Sequence, residues 1–141
     1  MAALGLELVA RGHRVTFLHQ LDAAAYLEDM PPGALQFHAL GADTHPAGSL
    51  AGNLRRAASP GGPLGLRRVI QDLARTTDML CKELPAAIAA LGIDALLVDQ
   101  MEAAGGLVAE GLGLPAVRVG GLCPAGQPRE RHSAAGDAFR L

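Results

Sequence analysis

Leu4-Gly-Leu-Glu-Leu-Val-Ala-Arg-Gly-His-Arg-Val-Thr-Phe-Leu18 is the stretch that decides the fold. Leu4, Leu8 and Val9 recur at helical spacing with Arg11 opposite, and Gly12 supplies a C-terminal stop. Val15-Thr16-Phe17-Leu18 then reads as a short buried strand. A helix that feeds a strand through Gly-His-Arg is the second half of a βαβ unit, so the expected architecture is a parallel α/β sheet. Open sheets of that kind keep their ligands at the carboxyl ends of the strands, in the loops that enter the helices. The loop entering this first helix would precede Met1, and the expectation is a crossover unit that lacks its first strand.

The rest of the chain repeats the alternation. Asp22-Ala-Ala-Ala-Tyr-Leu-Glu28 predicts a short helix with Asp22 as N-cap, ended by Pro31-Pro32-Gly33, and residues 35–40 alternate as a strand should. Residues 41–63 are rich in Gly, Pro, Ala and Ser without a sustained period and read as a long mobile loop. Residues 64–91 carry the strongest helical pattern, with Leu66, Val69, Ile70, Leu73, Thr77 and Leu80 on one face, Pro85 restarting the helix and Gly92 ending it. Ala95-Leu-Leu-Val-Asp99 reads as a buried parallel strand, residues 101–110 as a helix stopped by Gly111-Leu-Gly113, and residues 115–119 as a last strand. With right-handed crossovers this order predicts a doubly wound, Rossmann-like parallel sheet over residues 1–119. Residues 120–141 have almost no apolar period and are expected to form a poorly ordered tail.

Bulk composition narrows the function classes. Hydrophobic residues make up 50% of the 141 but aromatics only 3%, which suits a parallel sheet built from Leu, Ala and Val. A formal charge of −2 and two short arginine pairs, Arg55-Arg56 and Arg67-Arg68, give no electrostatic footprint for nucleic acid, and the pairs read as solvated surface. Cys81 and Cys123 have neither ligand nor disulfide spacing, which fits a reducing cytoplasm. No run reaches the roughly 18 apolar residues of a membrane span, though peripheral membrane contact stays open.

Asp99 is the leading site candidate, because it ends a buried strand at the carboxyl edge and opens a helix. Asp99-Gln-Met-Glu102 also has capping-box spacing, with Asp99 as N-cap and Glu102 reaching back. The two roles are compatible, since one carboxylate oxygen can cap while the other holds a histidine in its working tautomer. His19 follows the strand at residues 15–18 and shares a carboxyl edge, whereas His13 sits in a turn at the amino edge, His38 in a strand, and His45 and His132 in loops where surface placement is expected. No histidine pair has ligand spacing, so no metal site is expected. Gly105-Gly106 and Gly111-Leu-Gly113 lie within or after a helix and cannot cradle a phosphate; Gly105-Gly106 is read as permitting close helix packing.

The segment from Leu4 to Phe17 resembles the first helix and second strand of the acceptor-binding domain of GT-B fold, UDP-sugar-dependent glycosyltransferases. Ala95-Leu-Leu-Val-Asp-Gln-Met-Glu-Ala-Ala-Gly-Gly-Leu-Val-Ala-Glu-Gly-Leu-Gly-Leu-Pro115 resembles a later strand, helix and strand of that domain. The branch closest in pattern includes zeaxanthin and macrolide glucosyltransferases. The resemblance implies inverting transfer of a hexose from a UDP-sugar to a hydroxyl of a small apolar acceptor. It also implies a histidine base in the loop after the first strand and an aspartate that orients it, a position Asp99 matches; Gln100, Met101 and His19 are candidates for the acceptor pocket. No histidine of this sequence occupies the base position, and the donor-binding domain has no counterpart. The expectation is therefore a partial GT-B domain, with no cofactor of its own, that is inactive by itself. The alternative is a stand-alone Rossmann-like module that binds an apolar ligand or a partner protein.

Overall fold

The computed structural model describes residues 1–120. It comprises α1 (Ala2–Ala10), β1 (Thr16–Gln20), a 3₁₀ segment (Leu21–Leu27), β2 (Gln36–Leu40), α2 (Ser49–Ala58), α3 (Pro63–Leu91), β3 (Leu96–Asp99), α4 (Ala103–Leu112) and β4 (Ala116–Val119). The chain divides into two compact units, Met1–Leu84 and Pro85–Leu141. Each holds one two-stranded parallel sheet, β1 with β2 and β3 with β4, so the class is α/β with short parallel sheets.

One device joins helix to strand three times. After α1, the Gly12 amide donates to the Val9 carbonyl at 2.9 Å and the His13 amide to the Leu8 carbonyl at 3.0 Å. This is a Schellman ending, and it requires the left-handed backbone that Gly12 adopts at φ 89°. After α3 the Ile93 amide reaches the Ile88 carbonyl, and after α4 the Leu114 amide reaches the Ala109 carbonyl, through Gly92 and Gly113. Each turn hands the chain directly to a strand, which is why helix and strand alternate so tightly.

In the first unit, Thr16 pairs with Gln36 and Gln20 with Leu40 at the two ends of the ladder. β1 runs two residues beyond the expected end at Leu18, because pairing with β2 outweighs the polarity of His19 and Gln20. Leu40, Met79, Leu80 and Leu84 are buried. The Gly41 amide leaving β2 donates to Glu83 Oε2 of α3 at 2.7 Å, which ties the exit of the strand to the helix.

Several sequence expectations need correction. Residues 41–63 are not one long loop, since α2 occupies Ser49–Ala58. Its start is supplied from a distance: Asp22 does not cap its own segment but accepts from the Gly48 and Leu50 amides at 2.9 and 3.0 Å. Leu66, Ile70 and Leu73 do not face a core and are more than half exposed. They form a stripe beside the inward row of Val69, Asp72, Thr76 and Met79, which also follows helical spacing. Pro85 does not restart α3, which runs unbroken through it. The tail expected over residues 120–141 lies, beyond Gly120, outside the described residues, as do Cys123 and His132.

Two backbone amides lower the pKa of Asp22, the Gly48 amide more than the Leu50 amide. A group whose folded pKa is depressed stabilises the fold fully above its unfolded value and loses that contribution as the pH falls through the folded one. Amide hydrogen exchange in residues 48–58 is therefore expected to be slow at neutral pH and to accelerate, relative to α1, only below the ordinary aspartate range. In D22A the fast exchange is expected at every pH. Equal protection of α2 in D22A and the parent chain would show that the cap is idle.

In the second unit Leu96 pairs with Ala116 and Asp99 with Val119. Ala87, Ile88, Val98, Ala104, Val108 and Ala109 are its buried apolar residues. Gly105 packs against Val98 so closely that a Cβ there would lie 2.8 Å from Val98 Cγ1, which bears out the reading of this glycine as a packing residue.

Candidate functional site

Asp99 is the last residue of β3 and stands at the carboxyl edge of the second unit's sheet. The Gln100 amide continues the ladder by donating to the Val119 carbonyl at 3.1 Å. The chain then turns sharply. The Met101 amide donates to Asp99 Oδ1 at 2.8 Å, and the Glu102 amide to the Asp99 carbonyl at 3.0 Å. The capping box expected from the sequence does not form. Glu102 is itself the N-cap of α4, accepting from the Ala104 amide at 3.1 Å, so the helix begins one turn later than the spacing from Asp99 requires.

That shift frees Asp99. One carboxylate oxygen is fixed by a short backbone bond, which sets the orientation of the group. The other accepts no hydrogen bond among the described residues, and the side chain is exposed. Gln100 and Met101 follow on the same turn, with Met101 86% exposed. A carboxylate held by one oxygen and open at the other can accept an imidazole N–H and stabilise the imidazolium that forms when the ring takes a proton.

His19 belongs to the first unit. It lies within β1 rather than after it, paired with Ala39 and half-buried. The residue that ends β1 is Gln20, which is 1% exposed with Oε1 making no hydrogen bond among the described residues. His13 is exposed in the turn after α1, as expected.

His45, by contrast, is not on the surface; it is 8% exposed. Its Nδ1 lies 2.9 Å from Thr44 Oγ1 and its Nε2 3.4 Å from Thr76 Oγ1. The Thr76 hydroxyl already donates to the Asp72 carbonyl at 3.1 Å. With the Thr76 hydroxyl committed to the Asp72 carbonyl, Nε2 is the donor toward Thr76, and both ring nitrogens are engaged, so the ring holds the loop.

The arginine pairs are exposed, as expected, and one of their members also joins two helices. Arg56 Nε pairs with Asp72 Oδ2 at 2.7 Å, joining α2 to α3. Around this pair a hollow of about 420 Å³ is lined by Thr44, His45, Ser49, Asn53 and Arg75 among others. The sequence signal for it is the i, i+3 spacing of Asp72 and Arg75 on one helix face, which has meaning only opposite α2. Among the described residues no cluster of His, Cys, Asp and Glu could hold a metal ion, and no helix is long and apolar enough to cross a membrane.

Comparison with known proteins gives this α/β geometry a context. The chain is homologous to part of a glycosyltransferase. The relatives are two zeaxanthin glucosyltransferases. That of Pantoea ananas is 50% identical over 121 residues, which are 86% of this chain and 27% of the relative. That of Pseudescherichia vulneris is 39% identical over 122 residues, again 86% of this chain and 27% of the relative. The chain thus spans about a quarter of the length of the relatives it matches. No family profile and no solved structure matches it.

Proposed function

We propose that the chain forms part of the Rossmann-like acceptor-binding domain of a GT-B, UDP-sugar-dependent hexosyltransferase, with Asp99 orienting the catalytic histidine. The observation that carries this reading is the 50% identity to a zeaxanthin glucosyltransferase over 86% of the chain. In the proposed reaction an acceptor hydroxyl attacks the anomeric carbon of a UDP-hexose with inversion. The histidine takes the hydroxyl proton as the new glycosidic bond forms, and UDP leaves with the electrons of the old one.

The Asp99 turn supports this role. With Oδ1 held by the Met101 amide, the free oxygen is available to a histidine Nδ1–H. That bond leaves Nε2 unprotonated toward the acceptor and stabilises the cation after proton transfer. Met101, almost fully exposed beside it, offers apolar surface to a hydroxylated apolar acceptor, and Gln100 a polar contact. The histidine base and the donor site are proposed to come from the remaining length of the relatives, and the 141 residues alone are proposed to transfer no sugar.

A hybrid tests the proposal. The residues of this chain that match the Pantoea ananas enzyme replace their counterparts in it, and the hybrid is assayed with UDP-glucose and zeaxanthin by chromatography of the glucoside. Transfer is expected in the hybrid and none with the 141-residue chain alone. A folded hybrid without transfer would refute the assignment, and turnover by the isolated chain would refute the division of labour.

A further inference from the structure

Five arginines and a single carboxylate lie between residues 44 and 77, in a chain whose formal net charge is −2. The positive charge is concentrated in one place. Arg56, Arg68 and Arg75 line a cleft of about 440 Å³ with Gln71 and Asp72. Arg68, Gln71, Asp72 and Arg75 are spaced i, i+3, i+4, i+7 and therefore share one face of α3, with Arg56 of α2 joined to it through Asp72.

Asp72 does not neutralise this group. Arg56 engages it at 2.7 Å and also donates to Asn53 Oδ1, so its guanidinium is fixed as a wall of the cleft. Arg75 Nη1 is 3.9 Å from Asp72 Oδ1, too long for a hydrogen bond, and its side chain is 75% exposed. Arg68 forms no ion pair among the described residues. Two guanidinium groups with donors to spare thus line one space; guanidinium is the side chain best suited to the oxygens of a phosphate, and an anion there also relieves the repulsion between them.

The cleft shares Arg56, Asp72 and Arg75 with the hollow lined by Thr44, Ser49 and Asn53. Ser49 Oγ is buried there and makes no hydrogen bond among the described residues. A ligand entering from the arginines would reach the unspent hydroxyl of Ser49, which favours an oxygen-bearing anion such as a phosphate over a simple halide. We infer that the α2–α3 cleft binds a phosphate-bearing anion through Arg68 and Arg75, with Arg56 held by Asp72 as the third positive wall. This site is independent of Asp99 and of the proposed sugar transfer.

Isothermal titration of the 141-residue chain with inorganic pyrophosphate at low ionic strength tests the inference, alongside sedimentation with phosphatidylglycerol or phosphatidylcholine vesicles. Binding is expected to weaken about tenfold in R68Q and in R75Q, since each loses a charge-assisted contact. R67Q, on the same helix and outside the cleft, is expected to bind as the parent does. Both Arg68 and Arg67 are exposed, so circular dichroism should be unchanged in either variant. Saturable pyrophosphate binding assigns the phosphate to a soluble ligand. Binding to phosphatidylglycerol vesicles alone, lost in R68Q, assigns it to a lipid headgroup; either result supports the site. No binding in both arms, or equal weakening in R67Q and R68Q, overturns it.

Discussion

Replacing Asp99 with asparagine in the hybrid transferase is expected to lower kcat by about 10²–10⁴-fold while leaving KM for the acceptor nearly unchanged. Asparagine keeps the oxygen that accepts from the Met101 amide, so the turn after β3 and the start of α4 survive. What it loses is the second acceptor. An amide NH₂ in that place cannot receive the Nδ1–H of a histidine, and the ring either turns or adopts the tautomer whose Nε2 is protonated and useless as a base. The missing negative charge also withdraws stabilisation of the imidazolium, so the base becomes more acidic and the acid limb of kcat/KM should move to lower pH in D99N. A purely structural Asp99 would leave that limb in place. A D99N hybrid with the parent rate and an unmoved pH profile would dismiss the orienting role and leave Asp99 as a turn residue.

The contrast between Asp99 and Asp22 explains what could be read from the sequence. Gly12, Gly92 and Gly113 were legible because a Schellman ending is local: the glycine, the preceding helical period and the following β-branched run lie within a few residues. The position of Asp99 at a strand end was legible for the same reason. Its exact bonding was not, since two carboxylates, Asp99 and Glu102, compete for the same helix start and only the turn geometry decides between them. α2 was missed because its cap comes from Asp22, 26 residues upstream, and because Gly52 and Asn53 dilute its apolar pattern. The meaning of Arg56, Arg68 and Arg75 depends on α2 as well, since they line a cleft only when a second helix stands beside α3. The apolar row of Leu66, Ile70 and Leu73 misled in the opposite direction. Periodicity reports that a helix is two-sided but not which adjacent stripe turns inward, and here Asp72 and Thr76 lie on the inward row beside Met79.

Gly105→Ala is expected to destabilise the second unit, by about 1–3 kcal/mol from overpacking less the roughly 1 kcal/mol that alanine gains in helix propensity. The added Cβ would stand 2.8 Å from Val98 Cγ1 and 3.1 Å from Cγ2. Val98 is a β-branched residue in the middle of β3 and buried, so it has little rotamer freedom with which to retreat. The strand or α4 must therefore move, and β3 carries Asp99. Gly106→Ala supplies the contrast on the same helix. Its Cβ would meet only the far end of the Arg118 side chain, at 3.1 Å from Nη2, which can swing away. G106A should therefore be neutral or more stable than the parent, by at most about 1 kcal/mol. Urea unfolding of both variants separates overpacking from helix propensity, which acts on both glycines alike. A double-mutant cycle with Val98→Ala then isolates the contact: the cavity left by the smaller residue should absorb the new methyl, so that G105A costs less in the V98A background. Equal losses in the two backgrounds would mean that Gly105 is required for some reason other than its approach to Val98.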